Sequence, residues 1–275
     1  ISDLHFNRVD WPVVDSLVET LNGEAYDLIV VSGDLTQGAR NSEFVQAKAF
    51  LDRIAAPKLC VVGNHDITPY ALHERFAAPY RRFCRHISPS IEPVWRDDEM
   101  IVVGVNTARR MTAGLNWSFG RVSHHQMEAV EHLLAEVPAD LYRIVVGHHP
   151  FLPPEWDADA RLVKRAAKAL AVFERAGVGL VLAGHLHRGY SRFAQAEIEV
   201  SAAAGGRVPD LRGVSESSAP LSTRRLMVVQ AGSATSTRLR GEPNAYNHIL
   251  VDGGLAIIEP RLWDGRLWCP AAGLF

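Results

Sequence analysis

Five short apolar runs in this chain end in the same kind of residues, so any fold it adopts has to bring those five ends to one place. Leu59 to Val62 leads into Gly63-Asn64-His65-Asp66, and Ile1-Ser2 into Asp3-Leu4-His5. Leu28 to Val31 leads into Ser32-Gly33-Asp34, Ile144 to Val146 into Gly147-His148-His149-Pro150, and Leu180 to Ala183 into Gly184-His185-Leu186-His187. A short apolar run closed by a turn signal reads as a buried strand. Gly and Asn alone would be ordinary turn residues. Ends that all deliver carboxylate, imidazole or amide groups are instead the ligand set of hard-to-borderline divalent cations.

The text between the runs is helical. Pro12 to Leu21 carries Val13, Val14, Leu17, Val18 and Leu21 at helical spacing, and Ser42 to Ile54 carries Phe44, Val45, Ala49, Phe50 and Ile54. Asp3, Asp34 and Asn64 stand 31 and 30 residues apart, a fit to strand-helix-strand units of about 30 residues or more. Residues 67–92 read as an excursion with short helical pieces, and 93–105 as a hairpin around Asp97-Asp98. Ser123-His124-His125-Gln126 has the form of a capping box before a helix to about Glu136. Helical spacing is expected from Asp159 to Arg175. Beyond His187 the text turns to short strands near 190–193, 198–201, 226–230, 248–251 and 256–262, with an aperiodic loop over 201–225. This predicts an α/β fold of two packed sheets flanked by helices. Residues 1–275 are expected to form a single domain. A strand ending at Ser2 has to begin upstream, so its first residues are expected before Ile1, and a leader there stays open.

Composition excludes little but is useful where it does. A net charge of -2 gives no electrostatic case for nucleic acid as the main partner. No apolar run approaches the roughly 18 residues of a membrane-spanning helix. Cys60, Cys84 and Cys269 lie outside every motif and suit a reducing, cytoplasmic setting. A homodimer stays open.

Ligands in open α/β sheets bind at the carboxyl ends of the strands. Asp3, His5, Asp34, Asn64, His148, His185 and His187 converge there. Seven donors without a thiolate are too many for one tetrahedral ion. They suit two ions that share a bridging carboxylate and keep positions open for water and substrate. The ordered set Asp-x-His, Gly-Asp, Gly-Asn-His-Asp, Gly-His-His and Gly-His-x-His resembles the calcineurin-like metallophosphoesterase superfamily, over residues 3 to 187. The resemblance implies a four-layer α/β/β/α sandwich with Asp3, His5 and His187 on one metal and Asn64, His148 and His185 on the other. It implies that Asp34 and a water or hydroxide bridge them.

Departures from subfamily patterns narrow the expectation. Protein phosphatases of the superfamily follow Gly-Asp with Asp-Arg-Gly and end the next motif in Glu; here the text is Gly33-Asp34-Leu35-Thr36-Gln37-Gly38 and ends in Asp66. Purple acid phosphatases carry a Tyr shortly after Gly-Asp, and the lipid A pathway diesterases have Arg in place of His65. The remaining resemblance is to bacterial cyclic-nucleotide phosphodiesterases. It implies hydrolysis of cyclic nucleotides or other small phosphodiesters with two divalent ions, Mn and/or Fe first, with Zn, Co or Ni admitted by the same donors. A monoesterase or nucleotidase is the alternative within this chemistry, and a non-catalytic scaffold the alternative outside it.

His65, beside a ligand but not one itself, is expected to act on the leaving group, with Asp66 accepting from its other ring nitrogen. Arg109, Trp117 and Arg238 are candidates for substrate contact. His149 is open between a ligand and support for one. The other histidines, His73, His86, His124, His125, His132 and His248, are read as solvated or capping.

Overall fold

The computed structural model describes residues 1–111, 118–194 and 225–271. Helices α1 (Trp11–Gly23) and α2 (Asn41–Asp52) bury Val13, Val14, Leu17, Val18 and Leu21, and Phe44, Ala47, Phe50 and Leu51. Pro12 stands in the first turn of α1, where its missing N–H costs no helical hydrogen bond. Both helices cover the parallel strands β1 (Ile29–Val31) and β2 (Lys58–Cys60), paired from Ile29↔Lys58 to Val31↔Cys60. The segment from Ile1 to Phe6 runs beside the end of β1: Ser32 N donates to Ile1 O, Asp3 N to Gly33 O, His5 N to Asp34 O and Phe6 N to Leu35 O.

Two short helices, α3 (Leu72–Ala77) and α4 (Arg81–His86), fill the expected excursion. The hairpin follows as β3 (Val94–Arg96) and β4 (Met100–Gly104), its turn closed by Asp97 Oδ1, which accepts from Glu99 N and Met100 N. With β5 (Tyr142–Val146), β6 (Leu180–Ala183), β7 (Tyr190–Phe193) and β8 (Met227–Gln230) it makes a six-stranded mixed sheet, ordered β3-β4-β5-β6-β8-β7. Its inner strands run parallel, and β3 and β7 are antiparallel edges. Helix α5 (His124–Ala135) opens with the expected capping box: Ser123 Oγ accepts from Gln126 N and Gln126 Oε1 from Ser123 N. Strands β9 (Ala245–Asp252), β10 (Leu255–Trp263) and β11 (Trp268–Pro270) form an antiparallel sheet.

Strand alternation explains why the runs are apolar throughout. Cys60 and Val62 face α1 and α2, whereas Leu59 and Val61 face the other sheet. Val145 faces α5 and the helix α6 (Ala166–Arg175), whereas Ile144 and Val146 meet Leu59 and Val61 between the sheets. A strand buried on both faces cannot alternate with polar residues. The result is helix, sheet, sheet, helix, the four-layer sandwich expected.

Three expectations need correction or fall outside. Helix α6 begins at Ala166, not Asp159. The preceding residues have other partners: Val163 N donates to Pro150 O, Lys164 N to Gly120 O, and Arg165 is left-handed at φ 70°. The C-terminal strands β9 and β10 are longer than expected and gain a third partner in β11. The strand at 198–201 and the loop at 201–224 lie outside the described residues. Among those residues no helix is long and apolar enough to cross a membrane.

Candidate metal centre

The carboxyl ends of β1, β2, β5 and β6, with the Asp3-Leu4-His5 segment, gather all seven expected donors. The backbone there is unusual. Asp3, His5, Asp34, His185 and His187 all have left-handed φ, between 50° and 81°. Close approach also dictates two glycines. A Cβ on Gly63 would lie 2.1 Å from Asp34 Oδ1, and one on Gly184 would lie 1.9 Å from Ser2 Oγ, so only glycine lets these loops come so near the carboxylates.

Two clusters share one oxygen. In the first, His5 Nε2 is 3.2 Å from His187 Nε2, 3.7 Å from Asp3 Oδ1 and 3.7 Å from Asp34 Oδ2, and His187 Nε2 is 3.6 Å from Asp3 Oδ1. In the second, His148 Nε2 is 3.3 Å from Asp34 Oδ2 and 3.2 Å from Asn64 Oδ1, which is 2.9 Å from His185 Nδ1. Donors around one ion at 2.0–2.2 Å lie about 3–3.6 Å from one another, the spacing seen here.

The pairing of the remaining atoms points each free one inward. His5 Nδ1 donates to Thr36 O at 3.3 Å, His148 Nδ1 to Ser32 O at 2.8 Å, and His187 Nδ1 to Arg238 O at 3.1 Å. In the neutral ring that places the proton on Nδ1 and the lone pair on Nε2, as a metal ligand requires. Asp3 Oδ2 accepts from Ser2 Oγ and His185 N, and Asp34 Oδ1 from His65 N. Their other oxygens, Asp3 Oδ1 and Asp34 Oδ2, are buried with no hydrogen-bond donor. A buried acceptor without a donor is costly. A cation removes that cost, so the residues present fit divalent metal ions.

The electrostatics agree. Burial alone would raise Asp34, but the neighbouring His148, His65 and His5 hold it well below the usual carboxylate range. Asp3 is likewise lowered against burial, by His5, His187 and His148. Burial would lower His148, yet Asp34 pushes it up to about 9. Burial takes His185 and His187 down to about 4. Both carboxylates are thus kept ionised in spite of their burial, which places negative charge among the imidazoles.

His65 lies half-buried at the edge of the first cluster, its ring edge-on to His5 at 4.8 Å. Its Nδ1 is 2.7 Å from Gln37 O, an acceptor only, and its Nε2 is 3.3 Å from Arg238 Nη1, a donor only. The proton therefore sits on Nδ1 and Nε2 accepts. Asp66 does not meet His65. Residues Asn64–Asp66 form a 3-10 turn that points successive side chains roughly 120° apart. Asp66 is sent under the loop, where it accepts from Gly63 N, Leu35 N, Thr36 N and Thr36 Oγ1. The expected His65–Asp66 pair is replaced by His65–Gln37, and Gln37 was not among the expected site residues.

Arg238 comes to the centre from the far end of the chain, with its guanidinium on His65 and Gln37 and its carbonyl on His187. Arg109 does not. Its guanidinium donates to Asn106 O, Ala108 O and Gln126 Oε1, tying the segment after β4 to α5. Trp117 lies outside the described residues. His149 has both ring nitrogens engaged, by Thr107 Oγ1 at 2.7 Å and Ser118 O at 3.0 Å, so it packs against His148 and His185 as support.

A four-layer sandwich with a carboxylate, amide and imidazole cluster at its strand ends defines a metallophosphoesterase. Residues 1–189 match the family described as Calcineurin-like phosphoesterase, and the chain belongs to that family. It is 24% identical over 179 residues to a probable cyclic nucleotide phosphodiesterase, RPA0124, of Rhodopseudomonas palustris, covering 64% of this chain and 62% of that one. It is 24% identical over 197 residues to the 3',5'-cyclic adenosine monophosphate phosphodiesterase CpdA of Escherichia coli K12, covering 65% and 61%. The matches thus span about three fifths of the length of these relatives. Among solved structures, the purple acid phosphatase PPD1 of yellow lupin superposes with a TM-score of 0.68 at 13% identity, covering 98% of this chain and 52% of that one. A dimetal phosphatase from Danio rerio gives 0.55 at 12% identity, covering 95% and 90%.

Proposed function

We propose that this chain is a dinuclear-metal phosphodiesterase acting on cyclic nucleotides or other small phosphodiesters. The observation that carries the metal reading is the pair of buried carboxylate oxygens without donors, Asp3 Oδ1 and Asp34 Oδ2, each facing imidazole nitrogens whose opposite sides are fixed. Asp3, His5 and His187 would hold one ion, Asn64, His148 and His185 the other, and Asp34 both. The donor set suits Mn and/or Fe, and admits Zn, Co or Ni. Such ions lower the pKa of water and offset charge on phosphoryl oxygens.

The chain's own residues then divide the work. His65 is oriented by Gln37 O and capped by Arg238. Arg238 offers its N–H to a phosphoryl oxygen. As it turns to the substrate it frees His65 Nε2 to take up a proton from water and pass it to the departing oxygen, an effect typically worth ~10²–10⁴-fold. Preference for diesters rests on the relatives, whose names specify cyclic nucleotide phosphodiesterases. The free thiols of Cys60, Cys84 and Cys269 support a cytoplasmic setting. The deciding experiment compares kcat/KM of Mn²⁺-loaded protein for bis-p-nitrophenyl phosphate and p-nitrophenyl phosphate, beside cyclic nucleotides and nucleoside monophosphates. The diesters are expected to be favoured. A clear preference for the monoesters replaces this reading with the nucleotidase one, and no turnover of any substrate leaves only the scaffold.

A further inference from the structure

Two cavities beside the centre share a wall. One of about 120 Å³ is lined by His149, His185, Phe119 and Arg161 among others. The other, of about 190 Å³, is bounded by Trp156, Arg188 and Arg240. Asp157, Ala160 and Leu186 line both, so a trench leads from His185 outward.

The walls of this trench are fixed in place. Segment 153–164 is pinned by Val163 N to Pro150 O at 2.8 Å, Lys164 N to Gly120 O at 3.0 Å and Arg192 Nη1 to Pro153 O at 2.7 Å. The Arg161 guanidinium lies 3.5 Å over the Phe119 ring centre, and that of Arg188 lies 4.1 Å over Trp156. A guanidinium held over a ring can still offer N–H groups to a planar or tetrahedral anion. Arg188 is neutralised by Glu242, its Nε 2.7 Å from Oε1, and so serves as a post for Trp156. Among the described residues no carboxylate, Asp157 included, is within ion-pair distance of Arg161 or Arg240. Two arginines therefore project positive charge into a preformed space that opens at a candidate metal ligand.

We infer that this trench is a second anion subsite, which binds a terminal phosphate carried by the substrate beyond the scissile ester through Arg161 and Arg240. The inference rests on the phosphodiesterase reading and sharpens its substrate class. Favoured substrates are phosphodiesters with an additional phosphomonoester group, such as 5'-phosphorylated short oligonucleotides, over those without one.

The test is a pair of linear dinucleotides that differ by that group alone, pApA and ApA, with Mn²⁺-loaded protein and bis-p-nitrophenyl phosphate as the reference diester. The expected result is a kcat/KM for pApA about ten- to hundredfold above that for ApA, the range of a charge-assisted hydrogen bond. The ratio should shrink as salt is raised. It should fall toward one in Arg240→Ala and Arg161→Ala, and be partly kept in Arg240→Lys. Because the readout is a ratio within each protein, a general loss of activity does not imitate it. Equal rates on pApA and ApA, with the reference diester cleaved, overturn the subsite and leave the diesterase reading standing. A pApA preference untouched by both arginine substitutions also overturns it. Failure to cleave any diester removes the parent reading and the subsite with it.

Discussion

Asp34 and Asp66 are both buried at strand ends, in adjacent loops, and the structure treats them in opposite ways. Asp66 accepts four hydrogen bonds from Gly63, Leu35 and Thr36 and stitches the second and third motif loops together. Asp34 is given one donor on Oδ1 and none on Oδ2. Burial, with Asp34 close by, pushes Asp66 up to about 6, whereas the surrounding imidazoles hold Asp34 well down despite its burial. The contrast separates two uses of one side chain. Asp66, whose acceptors the protein fills, braces the fold, whereas Asp34, with an acceptor left open, is suited to a cation.

The largest effect is expected from Asp34→Ala. Both ions should be lost and kcat/KM should fall by roughly 10³-fold or more, with metal content per chain as the independent readout. Retention of both ions would end the bridging assignment. Asp66→Ala should act on the fold instead. It is expected to cost about 3–5 kcal/mol, because buried donors lose their partner. Urea unfolding of metal-free protein measures this, and Asp34→Ala should cost less in the same assay. A larger cost for Asp34 would reverse the distinction.

His65→Asn is expected to keep both ions and to lose about 10²-fold with a ribose leaving group, but much less with p-nitrophenolate, which departs without a proton. Equal losses on the two substrates would assign His65 to charge stabilisation rather than proton transfer.

The smallest effect concerns protons. His148 in the metal-free centre is raised to about 9 from an ordinary 6.5, by Asp34 against the opposing effect of burial. Its contact with Asp34 therefore stabilises the metal-free protein fully below about 6.5 and loses that effect as pH rises through 9. Metal loading near neutral pH should release about one proton, and affinity should rise up to tenfold per pH unit toward 9. Calorimetry in buffers of differing ionisation enthalpy measures the release. Loading with no proton released would mean that His148 is already neutral.

Much of the centre was legible because ligand chemistry is local. Asp3-x-His5 brings two donors to one cluster and His185-x-His187 supplies one donor to each, and a strand buried on both faces has to be apolar throughout. What failed depended on the turn the backbone takes and on partners far off in sequence. Asp66 follows His65 in sequence, but the 3-10 turn sends the two apart. Arg109 stands in a loop near the motifs, but carbonyls and Gln126 claim its donors. The capping of His65 by Arg238 spans 173 residues, and no local pattern announces it. The start of α6 moved because Val163 and Lys164 pair with segments far off in sequence.

The left-handed φ values at Asp3, His5, Asp34, His185 and His187 act as a second filter on residue identity. Each costs roughly 1 kcal/mol or more relative to a relaxed backbone. Aspartate, asparagine and histidine tolerate that conformation better than most residues, and β-branched ones hardly at all. The centre therefore draws on a vocabulary chosen twice, once by what can hold a cation and once by what the turning chain allows. A substitute at these positions has to be both a donor and comfortable in the wrong-handed bend.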